Sequence, residues 1–367
     1  MSLRNSCFAY PPKGRIFIAA LVTTLYALNA YAKPDMSPLG PNIADRGSAY
    51  YHFNVTTFDS SDGERHYKVW TAIPNTAPPA QGYPVVYALD GNAVMDRLSD
   101  TLLEKLTQKA PPVIVAIGYQ TNLPFDQTAR AYDYRPKVEE DPADNRWDRR
   151  KSGGSGAFRR LLEDTIMEKV ERGIAINPQR RAIWGHSYGG LFVIDAWLTS
   201  SRFQLYFSAS PSLGRGQAAL LDRMAGAKGE AFNRNALFLM EGAVATQRGS
   251  SAGAVDTRSK VQQTVSRLRK NGVAVSWWPY PGLSHGAMFS ASLQSALLTI
   301  SGTENNQALL QIKQPAVEQR LQTCLIYSGH TSAGWRLTRL TKTGNFTMGS
   351  IPQICGFAII CRFTSPT

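Results

Sequence analysis

Residues Arg180–Trp197, RRAIWGHSYGGLFVIDAW, change from a strand pattern to a helix pattern within a few positions. The apolar run that ends at Trp184 is typical of a buried strand, and the later apolar residues recur with helical spacing. Between the two patterns, residues 185–189 match G-x-S-x-G, the nucleophile-elbow motif. Such an elbow lifts a serine hydroxyl above the sheet on a strained turn, and flanking glycines let neighbouring backbones come close. The motif alone is common by chance, but its strand-to-helix context favours Ser187 as a nucleophile over a structural glycine turn.

Strand and helix patterns alternate on both sides of this turn. Two strand patterns, residues 50–58 and 65–74, flank a hairpin signal at Asp62-Gly63. Apolar runs predict further buried strands over 83–91, 111–119, 203–210, 235–242 and 273–282, with helices over 94–109, 157–172, 256–270 and 287–300. Residues 120–156 carry no periodicity and are predicted to form a long loop. The alternation predicts an α/β fold with a mostly parallel sheet flanked by helices and antiparallel N-terminal strands.

The first 32 residues have the pattern of a secretory signal. Basic residues precede an apolar run, Ile16–Leu28, that is too short to span a bilayer comfortably. Ala30-Tyr31-Ala32 fits a cleavage site, which would make Lys33 the mature N-terminus. We therefore expect residues 1–32 to direct export, with retention at the inner membrane as the alternative.

The last part of the chain differs from the rest in composition. Residues 306–367 have no clear helix pattern and hold Cys324, Cys355 and Cys361, whereas Cys7 lies in the signal. The segment between needs neither disulfides nor thiolate ligands. Of the net charge of +13, the signal carries +3 and the tail +5, which leaves +5 on the segment between. That excess is too diffuse for a nucleic-acid interface and suits either an anionic small substrate or ordinary solvated surface. We expect a catalytic domain over 33–305 and an atypical, poorly ordered tail over 306–367.

A nucleophilic serine needs a base, and histidine is the first candidate. His285, in YPGLSHGAMF, follows the last predicted strand and precedes the last helix, where the chain order of α/β-hydrolases has the base. His52 and His66 lie on the early strands and are expected at the surface. His186 adjoins Ser187, so its side chain should point away from the hydroxyl and either pack or contact substrate.

Catalysis also requires two hydrogen-bond donors that stabilise the oxyanion, and a group that orients the base. The Tyr188 N–H follows the nucleophile, and the Asn92 N–H lies in the loop that ends an early buried strand; the alternative for Asn92 is a simple helix-starting turn. Glu241, at a strand end, or Asp256 further on are candidate acids. A serine–histidine pair oriented by a backbone carbonyl is the alternative to both.

Several segments resemble one family. YALDGNA, RAYDYRP, GHSYGG, SASPSL and PGLSHGAMF are similar to the esterase D-like branch of the α/β-hydrolases, and in particular to enterobactin and salmochelin esterases. The resemblance covers about residues 48–302 and leaves out the tail. It implies a periplasmic serine esterase that hydrolyses the trilactone esters of catecholate siderophores, apo or ferric, through an acyl-enzyme. It implies Ser187 as nucleophile, His285 as base, and the Asn92 and Tyr188 amides as the oxyanion hole.

The resemblance also implies a substrate-side arginine at Arg130, whose guanidinium would pair with catecholate oxygens. The alternative for Arg130 is a salt bridge with Asp133 within the loop. Neither a metal-ligand cluster nor a phosphate loop is recognisable, so we expect no cofactor and no metal, and no protein partner is evident. A general carboxylesterase, an S-formylglutathione-hydrolase-like enzyme, a non-catalytic siderophore-binding protein and a structural protein are the alternative functions.

Overall fold

A computed structural model describes residues 35–137, 150–213, 218–232, 235–243 and 252–303, together with three short strands after residue 323. Packing divides the chain into two compact units, Met1–Ile312 and Lys313–Thr367. The predicted signal, residues 1–32, lies outside the described residues. None of the described helices is both long and apolar enough to cross a membrane.

The first unit is built on one sheet of eight strands in the order β1-β2-β4-β3-β5-β6-β7-β8. β1 pairs antiparallel with β2, β2 pairs antiparallel with β4, and all later pairs are parallel. The strands are β1 Tyr51–Asp59, β2 His66–Pro74, β3 Tyr83–Leu89, β4 Val113–Tyr119, β5 Ile176–His186, β6 Leu205–Ala209, β7 Ala236–Ala243 and β8 Val275–Pro281. The predicted α/β class, with antiparallel N-terminal strands, is therefore confirmed.

Most of the helices lie in the connections between the parallel strands, with one before the first strand and one after the eighth. They are α1 Ile43–Arg46, α2 Gly91–Arg97, α3 Asp100–Thr107, α4 Gln127–Asp133, α5 Ser155–Arg160, α6 Met167–Glu171, α7 Tyr188–Thr199, α8 Ala218–Ala225, α9 Gly229–Phe232, α10 Ala252–Lys270 and α11 Ala287–Ser301. A π-helical segment, Leu161–Ile166, joins α5 to α6.

One predicted helix and one predicted loop need correction. The single helix predicted over 94–109 is divided, because Leu98 is extended at ψ 131° and Ser99 accepts a bond from the Leu102 N–H at 3.3 Å. A serine in that position favours a new helix start over continuation. The predicted loop over 120–156 contains α4, whose N-cap Asp126 accepts the Thr128 and Ala129 N–H groups.

The sheet is covered on both faces, which explains the continuous apolar strands. Along β3, Tyr87 and Leu89 enter one core cluster while Ala88 enters the other. Helix α7 belongs to the first cluster and α11 to the second, where Trp184 and Phe289 meet edge to face at 5.1 Å. Each fully buried large apolar side chain contributes about 1.5–3 kcal/mol. This rigid double-sided core carries the loops at the carboxyl edge of the sheet.

The second unit contains a small antiparallel sheet in the order β10-β9-β11. Its strands are β9 Cys324–Ser328, β10 Arg336–Leu340 and β11 Phe357–Ile360. No periodicity in the sequence predicted these strands. That residues 306–367 are poorly ordered stays a prediction.

Candidate active site

Three polar residues with positive φ mark the carboxyl ends of neighbouring strands. Asp90 follows β3 at φ 58°, Ser187 follows β5 at 61°, and Ser210 follows β6 at 39°. This left-handed region is sparsely populated by residues other than glycine, asparagine and aspartate, and such residues concentrate at functional sites. Because parallel strands end at the same edge, the three turns lie along one edge of the sheet.

The turn at Ser187 has the geometry that the glycine pattern predicted. Ser187 adopts φ 61° and ψ −114°, and its N–H donates to the Ala209 carbonyl at 2.9 Å. A Cβ on Gly185 would lie 2.4 Å from the Gly189 carbonyl oxygen, and one on Gly190 would lie 2.9 Å from the Ala209 oxygen. Side chains at these two positions would collide with backbone, so the elbow depends on its glycines.

A second serine contacts the hydroxyl of the first. Ser187 Oγ lies 2.9 Å from Ser212 Oγ, and the Ser212 N–H donates to the Ser187 carbonyl at 3.3 Å. Among the described residues, no hydrogen bond joins Ser187 Oγ to the His285 ring. Ser212 is not among the predicted site residues, although SASPSL follows a parallel strand and therefore lies at the same edge of the sheet.

The predicted base, His285, lies in the loop between β8 and α11. Its ring centroid is 4.7 Å from that of His186, the residue before Ser187, so the predicted base lies at the same edge of the sheet as the nucleophile. His285 is exposed by surface area, but the protein atoms around its ring partly desolvate it. This desolvation, followed by the charge of Arg130, lowers the pKa of His285 from its usual value of 6.5. The exposure limits the size of the shift. At neutral pH the imidazole is therefore unprotonated, as a base must be.

His186 is buried and contacts the base through the backbone. Its Nε2 lies 2.8 Å from the His285 carbonyl oxygen, which can only accept, so Nε2 carries the proton. The ring also packs edge to face against Phe289 at 5.5 Å. Burial, followed by the neighbouring His285, lowers the pKa of His186 to about 3. His186 thus packs, one of the two roles expected for it, as a neutral hydrogen-bond donor.

No described carboxylate is hydrogen bonded to the His285 ring. Glu241 is a partly buried residue of β7, and Asp256 lies in α10 with its side chain outside the described residues. Both causes of the His285 shift lower its pKa, whereas a bound carboxylate would raise it. The roles predicted for Glu241 and Asp256 therefore stay predictions, as does the alternative of a serine–histidine pair.

The two predicted oxyanion donors begin helices. Tyr188 is the first residue of α7 and Asn92 the second of α2, and the N–H groups of a first turn point out of the helix end. The Asn92 side chain also ties this loop to the end of β4. Its Nδ2 donates to the Tyr119 and Thr121 carbonyls at 3.1 and 2.9 Å, and its Oδ1 accepts the Tyr119 N–H at 2.9 Å.

Arg130 is buried in α4 and forms an ion pair that the sequence analysis did not predict. Its Nε and Nη2 donate to the two carboxylate oxygens of Asp90 at 2.7 and 2.8 Å, and Nη2 also lies 3.4 Å from the His186 carbonyl. Burial alone would lower the pKa of Arg130, but the Asp90 charge and hydrogen bonds outweigh it and raise that pKa. The alternative considered for Arg130, a salt bridge with Asp133, is replaced by this pair with Asp90, and the predicted substrate role of Arg130 stays a prediction.

Asp133 has other partners on the hairpin side of the sheet. Its carboxylate accepts the Tyr67 and Tyr119 hydroxyls at 2.8 and 3.0 Å, and Arg65 Nε lies 2.9 Å away as an ion pair without hydrogen-bond geometry. Burial raises the pKa of Asp133 to about 6 despite these partners. The partners of Asp133 therefore come from other elements of the fold, and the local spacing within RAYDYRP does not determine them.

Positive charge surrounds the residue after the nucleophile. The guanidinium carbons of Arg130, Arg135 and Arg150 lie 5.2, 5.2 and 5.5 Å from the centre of the Tyr188 ring, and Arg150 Nη2 donates to its hydroxyl at 3.1 Å. Guanidinium groups thus surround the ring of the residue that follows Ser187, and the charge of one of them, Arg130, is balanced by Asp90. Within the described residues, no group of three or more histidine, cysteine or acidic residues is arranged to hold a metal ion.

Comparisons with known proteins agree with this geometry. The model of the Esterase family matches residues 60–336. The apo-salmochelin esterase of Escherichia coli O6:H1 is 55% identical over 298 residues, which span 81% of this chain and 94% of that one. The solved structure of the enterobactin hydrolase IroE with DFP, a serine-hydrolase inhibitor, superposes with a TM-score of 0.64 at 56% identity, covering 71% of this chain and all of that one. The ferri-bacillibactin esterase BesA of Bacillus subtilis is 36% identical over 170 residues, 43% of this chain and 58% of that one.

Proposed function

The chain belongs to the Esterase family, and on that premise we propose that it is a serine esterase that hydrolyses the ester bonds of catecholate siderophores. The observation that carries the proposal is the elbow itself: a serine at φ 61° between close-packed glycines, with an unprotonated histidine at the same sheet edge. This is the geometry of a nucleophile and its base in α/β-hydrolases.

The proposed reaction has two steps. First, the Ser187 hydroxyl turns from Ser212 toward His285, which takes its proton while the oxygen attacks the ester carbonyl. The Tyr188 and Asn92 N–H groups stabilise the oxyanion, and protonated His285 gives its proton to the leaving alcohol. In the second step, water activated by His285 attacks the acyl-enzyme and releases the acid. The first step leaves the acyl group on Ser187 and releases the alcohol, and the second restores the free serine and neutral His285, so the complete cycle leaves the enzyme unchanged.

The substrate class comes from the relatives and fits the charges at the site. The similar proteins are named for apo-salmochelin, enterobactin and ferri-bacillibactin. The guanidinium groups around Tyr188 offer donors in the planar arrangement that catecholate oxygens accept. The proposal covers both apo and ferric ligands. Residues 1–32 support export to the periplasm, and mass spectrometry of the exported protein should give Lys33 as its N-terminus.

The direct test incubates the purified protein with enterobactin and separates linear trimer, dimer and monomer by chromatography. The native chain should release these products and be labelled by DFP on Ser187, and Ser187→Ala should lose both properties while still binding the ligand. Ser99→Ala, at a helix cap away from the elbow, is the matched control and should retain activity. Turnover by Ser187→Ala would refute the assignment, and activity confined to p-nitrophenyl esters would leave a general carboxylesterase.

A further inference from the structure

The base His285 needs something to hold it, because a free imidazole samples many orientations. In serine hydrolases with a triad, a carboxylate bonded to the second ring nitrogen does this. Among the described residues, the hydrogen bond that reaches His285 from another element comes instead from His186, through Nε2 at 2.8 Å from the His285 carbonyl oxygen. This hydrogen bond therefore fixes the backbone of His285 and not its ring.

His186 is itself held from three sides. Its own carbonyl accepts from Arg130 Nη2 at 3.4 Å, and Arg130 is locked by two bonds to Asp90. Its ring packs against the rings of His285 at 4.7 Å and Phe289 at 5.5 Å. Only 6% of the residue is exposed. A group with this many constraints has one orientation, so it can impose one on its neighbour.

His186 is also the residue directly before the nucleophile. Ser187 and His285 come from elements about a hundred residues apart in sequence, and the 2.8 Å contact ties the loop of one to the turn of the other. We propose that His186 is a positioning residue for the base: its hydrogen bond to the His285 backbone sets the separation of His285 from Ser187. The inference rests on the proposed function, since it assumes Ser187 and His285 as nucleophile and base.

The chemistry of the side chain suits that role. A donor is required, because the partner is a carbonyl oxygen. A cationic donor would repel the imidazolium that forms on His285 during the reaction, whereas buried His186, with its pKa near 3, stays neutral. A neutral imidazole is therefore a donor that adds no charge beside the base.

Two substitutions separate the hydrogen bond from the volume of the side chain. In His186→Gln the amide nitrogen can reach the place of Nε2, whereas in His186→Asn it reaches only the place of Nδ1. With p-nitrophenyl acetate, we expect kcat of the Gln variant within about threefold of the native value. The Asn variant should lose about 10- to 100-fold in kcat with KM changed less than about twofold, because a misplaced base slows chemistry but not binding. His66→Gln and His66→Asn, at an exposed strand residue, are the matched controls.

Equal kcat for the Gln and Asn variants, or a loss that falls on KM, would overturn the proposal, since a purely structural role would not distinguish the two amides. Active sites are counted by DFP titration, so that misfolded protein does not lower the measured kcat. A wild-type chain that neither hydrolyses the ester nor reacts with DFP would instead refute the proposed function, and the inference with it.

A measurement on the native chain tests the hydrogen bond even if both variants fail to fold. In the ¹⁵N spectrum of the histidine-labelled protein, His186 should be an Nε2–H tautomer that does not titrate between about pH 5 and 8. An Nδ1–H tautomer, or titration in that range, would contradict the contact on which the inference depends.

Discussion

Arg130→Met is expected to destabilise the fold and to slow the hydrolysis of uncharged esters. The substitution keeps much of the apolar stem but removes the guanidinium that holds both oxygens of Asp90, at 2.7 and 2.8 Å. Only 8% of Arg130 and 2% of Asp90 are exposed, so the carboxylate would stay buried without its partner. Breaking a buried pair from one side lowers the free energy of unfolding by about 3–5 kcal/mol.

The same change should disturb the oxyanion hole. Asp90, which directly precedes Gly91 and Asn92, has a left-handed backbone at φ 58°. Such a conformation costs about 1–3 kcal/mol and persists only where the surrounding structure enforces it. Without the ion pair the loop is free to relax, and the Asn92 N–H moves from its place. Loss of one oxyanion donor lowers kcat by about 10²–10³-fold, which bounds the expected effect.

Urea unfolding and steady-state kinetics on p-nitrophenyl acetate measure the two effects. The double variant Asp90→Asn/Arg130→Met, which leaves no buried charge, should be more stable than Arg130→Met alone. Arg172→Met is the matched control: its pair with Glu168 is exposed, and its loss should change stability by less than about 1 kcal/mol. If Arg130→Met unfolds within about 1 kcal/mol of the native chain and raises KM for anionic esters only, Arg130 is a substrate contact and the positioning argument fails.

Two further predictions concern the base and the elbow. His285 is active unprotonated and its pKa is lowered from 6.5, so activity is lost as the pH falls through that lowered value: the acidic limb of kcat/KM should have its midpoint below 6.5, and a midpoint above it would contradict the assignment. Gly185→Ala would put a Cβ 2.4 Å from backbone, so its free energy of unfolding in urea should fall by about 1–3 kcal/mol and its activity should be lost. The control Gly156→Ala, whose nearest contact would be 3.8 Å, should be at least as stable as the native chain. Equal stability of the two variants would refute the steric explanation.

Most of the fold follows from local patterns, since each buried strand is a continuous apolar run between turn residues. The hairpin at Asp62-Gly63, the strands β3 to β8 and the long helices were predicted in this way. The division of the helix predicted over 94–109 at Ser99 depended on a capping bond that competes with an otherwise helical pattern. The strands after residue 323 pair with one another over distances that periodicity does not encode.

The candidate site, like the fold, is predictable from local patterns only in part. Ser187 and His285 are predictable because a motif and the chain order of parallel strands fix them at one edge. The pairing of Arg130 with Asp90, rather than with nearby Asp133, is not, because it depends on how α4 packs against the end of β3. The contact of Ser212 with the nucleophile depends likewise on the turn after β6.

The three turns with positive φ limit how far this protein can be stabilised. Glycine at Asp90, Ser187 or Ser210 would relieve backbone strain, and a selection for heat resistance alone would favour it. Yet a nucleophile needs a side chain, and the arginine beneath the elbow needs a carboxylate. Thermostabilised descendants of this chain should therefore gain their stability elsewhere, in surface helices and in the loops far from the catalytic edge, and leave Asp90 and Ser187 as they are.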